Sequence, residues 1–227
     1  AEQRSDERCH EVDLSEQDAN GISLAQWLAD LLTLTKMKFV IEHLDNELYE
    51  WCSIEYEHIS KIVGKGNLIF TNINKKYRNK LERYGIIYNK SISKLNLKNI
   101  CILSQYSKKT LLTNDKNKFQ YFVFGGILGD NPAKKRTNRI IKNLKKNKIK
   151  FETRNLGKRQ MPTDVAVFVT KKILEGKNLN DFKFVDEVEI EINENESITL
   201  PFRFVVDGDR LVINKKLVGY LRKRQEF

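Results

Sequence analysis

The sequence predicts an α/β domain: a mostly parallel sheet with helices on both faces, followed by a β-rich C-terminal elaboration. Three observations carry this. The short runs KFVIEH (38–43), NLIFTN (67–72), ICILS (100–104), YFVF (121–124) and IKFETRNL (149–156) are mostly continuous in apolar character, as strands covered on both faces are. Segments of helical periodicity stand between them, which is the alternation of a parallel α/β sheet. Towards the C-terminus the pattern changes to strict period two, with Val188, Ile190 and Ile192 alternating with acids.

Taken in order, residues 1–36 read as a separate leader. The stretch 1–21 is polar, acidic and without periodicity, the composition of a disordered segment. Leu24, Trp27, Leu28, Leu31 and Leu32 then fall at helical spacing behind Ser23, a possible N-cap for a short amphipathic helix. This leader lacks a basic start and has Asp30 inside its apolar part, so it is not a signal peptide. It is expected to be an extension ahead of the domain, and a partner-binding helix is the competing reading.

The domain proper is expected over 37–227. Met37 opens the first strand, which ends in the carboxylate of Glu42. A helix over 47–64 places Leu48, Trp51, Cys52, Ile59, Ile62 and Val63 broadly on one side and stops at Gly64. A basic helix is expected over 75–85. After the strand 121–124, a helix is expected with Pro132 near its first turn, continued by Arg139, Ile140, Ile141 and Leu144. A further helix over 162–176 turns Val165, Ala166, Val169 and Ile173 inward. In the elaboration Asp207-Gly208 reads as a turn, and residues 214–224 as a closing basic helix.

Composition narrows the function. Three cysteines, Cys9, Cys52 and Cys101, are too far apart for a zinc pattern, and three scattered histidines offer no metal site. Idle thiols suit a reducing, cytoplasmic setting. No run of 18 apolar residues occurs, so no membrane span is expected. The net charge is +11, but the first 36 residues hold three bases against eight acids, leaving +16 on the remainder. A field of that sign attracts polyanions, with RNA or a ribosomal particle the natural candidate. A lysine-rich composition without a site would give the same surplus.

The loops carry the chemistry. GGILGDNP (125–132) leaves a strand and enters a helix, at the sheet edge where parallel α/β folds bind ligands. It lacks the G-K-[ST] of a phosphate loop, and its G-G-x-x-G spacing is not a dinucleotide fingerprint. Glycines here let backbone take positive φ and approach a ligand. A second loop, RNLGKRQMPTDVAV (154–167), makes the same transition, with Thr163 or Asp164 as a possible helix cap. Two glycine-bearing loops with apolar residues between suit an adenosine pocket, and tight turns without a ligand are the plain alternative.

These segments, with MKFVIEHLDNELYEW at the start of the domain and LPFRFVVD near its end, resemble the SPOUT methyltransferases. More narrowly they resemble the SPOUT-fold protein-arginine methyltransferase group, long labelled RNA methyltransferases, across 37 to about 210. The resemblance implies a deep trefoil knot and S-adenosylmethionine bound in the knotted loops. By it, Gly125, Gly126, Ile127, Leu128, Gly129 and Asp130 form one wall of the cofactor site. Leu156, Gly157, Gln160, Met161 and Thr163 form the other. The stretch 74–118 departs from the pattern.

The activity then expected is methyl transfer to a protein arginine. The guanidinium stays charged, with a pKa on the order of 13, so carboxylates must orient it and withdraw its proton. Glu42 and Asp130 are the expected catalytic acids, with Asp164, Arg136 and Arg203 at the substrate. Arg154 and Arg203 could equally pair with buried acids. RNA is the alternative acceptor, supported by Lys134, Lys135, Arg136 and Arg139 beside the pocket. A non-catalytic RNA- or ribosome-binding module is a third reading. A ribosomal protein in its particle fits both the charge and the arginine chemistry. Monomer and homodimer both stay open.

Overall fold

A computed structural model describes residues 36–126 and 136–223. Six strands form one wholly parallel sheet: β1 (Lys38–His43), β2 (Leu68–Thr71), β3 (Ile86–Ile87), β4 (Ile100–Leu103), β5 (Tyr121–Gly126) and β6 (Phe151–Arg154). They lie side by side in the order β3-β2-β1-β5-β4-β6. Because all six run the same way, the C-terminal ends of β1, β5, β4 and β6 share one edge.

The four central apolar runs become strands because they bury both faces. On one face Phe39, Ile41, Phe122 and Phe124 pack under α1 (Glu50–Val63). On the other, Val40, Ile100, Ile102 and Val123 pack against Ile140 and Leu144. Full burial of side chains this size stabilises by about 1.5–3 kcal/mol each. The expected helices on both faces are therefore present.

Two element boundaries differ from the sequence reading. The basic helix expected over 75–85 shrinks to a 3₁₀ turn, Lys75–Tyr77, and one helical turn, α2 (Arg78–Leu81). Of that short helix only Leu81 is buried, so no apolar stripe sustains it. The strand expected over 149–156 contracts to Phe151–Arg154. The helix expected after Pro132 is described from Thr137, as α3 (Thr137–Lys146), and Pro132 lies outside the described residues.

The helix expected over 162–176 runs as α4 (Thr163–Leu174); it buries Val167 as well as the predicted Val165, Val169 and Ile173, while the predicted Ala166 is only half-buried. Neither Thr163 nor Asp164 caps it; Pro162 occupies that position.

The C-terminal elaboration is β-rich as expected. β7 (Lys183–Val185) pairs antiparallel with β10 (Phe204–Asp207), which turns at Gly208 into β11 (Arg210–Leu211). Between them, β8 (Val188–Asn193) and β9 (Glu196–Leu200) form a separate hairpin. The closing helix α5 (Lys215–Lys223) buries Leu217 and Leu221 and docks on α1, where Lys216 Nζ meets Glu57. The possible leader helix over 23–32 lies outside the described residues.

Candidate functional site

The shared strand edge holds an open cleft of about 1020 Å³. One wall is the loop after β4, from Gln105 to Thr113. The other is the loop after β6, with Asn155, Gly157 and Lys158, closed by Asn178–Asn180 beyond α4. The two walls are stitched together by backbone hydrogen bonds, Leu111 N to Asn155 O at 3.0 Å and Asn155 N to Lys109 O at 2.8 Å. Leu111, Leu112, Ile173 and Leu179 give the cleft apolar surface. Ser107, Thr110, Asn155, Asn178 and Asn180 give it neutral polar groups. That mixture and size suit a nucleoside-sized ligand.

A buried ion pair braces the first wall. Arg154 Nε and Nη2 each lie 2.9 Å from an oxygen of Asp115, and Nη1 reaches Glu152 at 3.1 Å. Asp115 Oδ2 also accepts from Leu112 N at 3.0 Å, so the same carboxylate fixes the loop that lines the cleft. Of the two roles open to Arg154 in the sequence, it takes the pairing with a buried acid.

The second wall is shaped by Gly157. Its φ of +95° is left-handed, and Asn155 Oδ1 accepts from its N–H at 2.9 Å. Leu156 is buried beside it, and Met161 packs against the core. Gln160 offers its carbonyl to Arg203 N at 2.8 Å. The Arg203 guanidinium is held by Asp186 through Nε and Nη2 and lies over the Phe184 ring, so the elaboration buttresses this loop from outside. Alanine at 157 would be strained by its φ alone, at about 1–3 kcal/mol. Gly157→Ala is expected to lower the thermal midpoint by a few degrees in scanning calorimetry.

Gly125 and Gly126 are not in a loop but close β5, paired with Glu42 and His43 of β1. Neither has a positive φ. What Gly126 needs is room: a Cβ there would collide with Tyr56 Oη and lie 2.5 Å from Ile41 Cγ2. Thr163 Oγ1 reaches Gly125 O at 3.4 Å, tying α4 to the strand end. Ile127, Leu128, Gly129 and Asp130 lie outside the described residues, as do Lys134 and Lys135. The knot that the resemblance implies involves this loop and is likewise outside them.

Of the expected acids, Glu42 is 2% exposed and satisfied by donors. Oε2 accepts from Thr71 Oγ1 at 2.5 Å and Ile92 N at 2.9 Å, and Oε1 from Ser91 Oγ at 2.5 Å. Asp164 Oδ2 is 2.7 Å from His58 Nδ1, and Oδ1 accepts from Val165 N. Arg136 Nη1 lies 2.5 Å from Asp45 Oδ1, in the loop after β1. Beside Asp45, His43 Nδ1 bonds Tyr56 Oη at 2.8 Å. Burial holds the His43 imidazole below its ordinary pKa, against the opposing pull of Asp45 and a hydrogen bond at Glu47. His43 Nε2 closes no hydrogen bond of good geometry despite the pull of the Glu47 backbone, and Asp45 Oδ2 is buried without a hydrogen-bond partner among the described residues. A buried polar group left so costs about 1–3 kcal/mol.

Against the first turn of α4, Glu55 is buried beside Asp164. Its carboxyl is pushed well above the usual range, first by burial and then by the Asp164 charge. The Thr163 amide and the Trp51 indole pull the other way, though the indole N–H closes no hydrogen bond of good geometry. A carboxyl raised on folding contributes most below its unfolded pKa and is lost as pH rises towards its folded one. Glu55→Gln is therefore expected to raise the thermal midpoint at pH 7 to 8, with the gain vanishing below about pH 4.5.

Comparison with known proteins decides the family. Residues 38–226 match the protein-family model described as protein arginine N-methyltransferase SFM1-like. The chain belongs to this family. It is 34% identical over 193 residues to protein arginine N-methyltransferase SFM1 of Saccharomyces cerevisiae, covering 76% of this chain and 88% of that protein. The fold superposes on yeast SFM1 complexed with S-adenosylmethionine at a TM-score of 0.74, with 31% identity over 83% of this chain and 91% of that one. For yeast SFM1 complexed with S-adenosylhomocysteine the TM-score is 0.72, with 29% identity over 86% and 98%. A dual-specific Trm10 from Thermococcus kodakaraensis shares the fold, at a TM-score of 0.51 and 18% identity over 64% of this chain and 96% of that one. The α/β domain with a mostly parallel sheet expected from the sequence is thus met.

Within the candidate site, sequence reasoning missed the loop 105–113, which lies in the stretch that departs from the family pattern. It also missed His43, Asp45, Glu55 and His58. Only the burial of a whole helix face could have signalled Glu55, since Cys52, Tyr56, Ile59 and Val63 form the true inward stripe and Glu55 borders it.

Proposed function

We propose that this chain is an S-adenosylmethionine-dependent protein-arginine N-methyltransferase. Membership of the SFM1-like family across nearly the whole domain carries the reading. The cleft supports it. Leu111, Leu112 and Leu179 would hold the adenosyl group against apolar surface, with Asn155, Asn178 and the backbone at Gly157 for its polar atoms. When bound, S-adenosylmethionine supplies a methyl group on a positively charged sulfur.

The protein's part is to bring an arginine nitrogen to that group and take up one proton. A guanidinium with a pKa on the order of 13 does neither unaided. Carboxylates at the strand edge suit the task, because they hold the guanidinium in fixed geometry and favour its deprotonation as the new bond forms. Glu42 fixes the end of β1 through Thr71, Ser91 and Ile92 and contributes negative charge beneath the edge. Asp130 is retained as the second acid on the strength of the family resemblance. Arg203 braces the cofactor loop from the elaboration.

The acceptor we favour is a ribosomal protein presented in its particle. α3 turns Arg139, Lys142, Lys145 and Lys146 to solvent beside the site, a surface that suits RNA around such an acceptor. The same surface supports RNA itself as the alternative acceptor. Transfer of labelled methyl groups from S-adenosylmethionine into ribosomal fractions, split by protease and by ribonuclease, tests this. Label removed by protease and kept through ribonuclease is expected; the reverse would make the chain an RNA enzyme.

A further inference from the structure

We infer that Asp45 is the carboxylate that receives the guanidinium of the substrate arginine, with His43 as its neighbour at the same strand end. The inference rests on the methyltransferase reading above and adds the substrate contact that it lacks. Asp45 stands two residues beyond β1, next to the paired ends of β1 and β5. Its side chain is nine-tenths buried, and Arg136 fixes Oδ1 at 2.5 Å. Oδ2 has no hydrogen-bond partner among the described residues, and His43 Nε2 closes none of good geometry. Asp45 is close enough to His43 for its charge to act on the imidazole.

The chemistry at this spot favours a cation. Glu42 sits on the same strand, and its contacts are neutral hydroxyl and amide donors rather than a base. The strand end therefore carries two carboxylates, with Arg136 set against one of them. A guanidinium has N–H donors in a rigid plane and no acceptor, so it can satisfy Asp45 Oδ2 directly. His43 is bonded through Nδ1 to Tyr56 and feels the charge of Asp45, so its ring reports on whatever binds that carboxylate. The ion pair with Arg136 sets the carboxylate's orientation, which makes Arg136 a positioning residue here.

The test uses the whole chain labelled with ¹⁵N-histidine, saturated with S-adenosylhomocysteine as confirmed by calorimetry. Three histidines give few signals, and His43→Gln assigns the one that matters. Nα-acetylarginine methylamide is titrated in, with Nα-acetylcitrulline methylamide as the uncharged control. The arginine probe should shift the His43 signal and the citrulline probe should not. Asp45→Asn should weaken the arginine probe at least tenfold. Arg136→Gln should weaken the arginine probe less than Asp45→Asn does, because it loosens the carboxylate and leaves it in place, whereas a purely structural Asp45–Arg136 pair would lose the probe equally in both. An unmoved His43 signal in the saturated protein, or equal affinity in Asp45→Asn, would overturn the inference and leave the two atoms to bound water. Failure of S-adenosylhomocysteine to bind at all would overturn the methyltransferase reading itself, and the inference with it.

Discussion

Gly126→Ala is expected to be among the most damaging single substitutions in the domain, although it adds one methyl group. The new Cβ would collide with Tyr56 Oη and lie 2.5 Å from Ile41 Cγ2, and both of those side chains are fully buried. Neither can move into solvent, and β5 is held by its register with β1 from Lys38 to His43. Overpacking of this kind costs about 1–3 kcal/mol, and more where backbone must shift. For a domain of this size each kcal/mol lowers the thermal midpoint by about 2–4 °C. A drop of about 2–12 °C is therefore expected by scanning calorimetry. Tyr56→Phe removes one of the two colliding atoms, so the double variant should recover part of the loss. A purely additive cycle would contradict the packing explanation.

Arg154→Leu has the second large effect, and it reaches the cleft. The guanidinium is buried against Asp115 with two hydrogen bonds, and its removal leaves an uncompensated buried carboxylate. Breaking such a pair from one side costs about 3–5 kcal/mol. Asp115 also holds Leu112 N, so the loop over 105–113 loses its brace at the same time. Destabilisation and weakened S-adenosylhomocysteine binding are expected together in urea unfolding and calorimetry. Asp115→Asn combined with Arg154→Leu should be less damaging than Arg154→Leu alone, because no unpaired charge remains.

The sheet was legible because its strands are local. Val40, Ile41, Ile69, Phe70, Ile102 and Val123 sit in runs whose two-sided apolar character needs no knowledge of partners. The C-terminal hairpins were legible for the same reason, through the alternation at Val188, Ile190 and Ile192. The helix over 75–85 misled because its lysines have good helix propensity, while Leu81 alone gives it something to bury.

The site was legible only where a backbone requirement shows in the residue type. Gly157 is glycine because its φ is +95°. Gly126 is glycine for a different reason from the one the sequence suggests, since Tyr56 lies 70 residues earlier and its approach leaves no local trace. Arg154 and Asp115 meet across 39 residues, and Glu42 gathers its donors from residues 71, 91 and 92. No spacing rule anticipates pairings of that kind. The same holds for Asp45, an unremarkable acid in sequence whose position is defined by Arg136, 91 residues away.

The proposed function puts the methyl donor in the cleft between the β4 and β6 loops, beside the β1 edge. A crystal structure of this chain with S-adenosylhomocysteine tests it most directly. The adenosyl group is expected between Leu111 and Leu179, against the backbone of Gly157, with the sulfur directed towards Gly125 and Asp45. A ligand bound elsewhere, or one in the cleft with its sulfur directed away from β1, would contradict it.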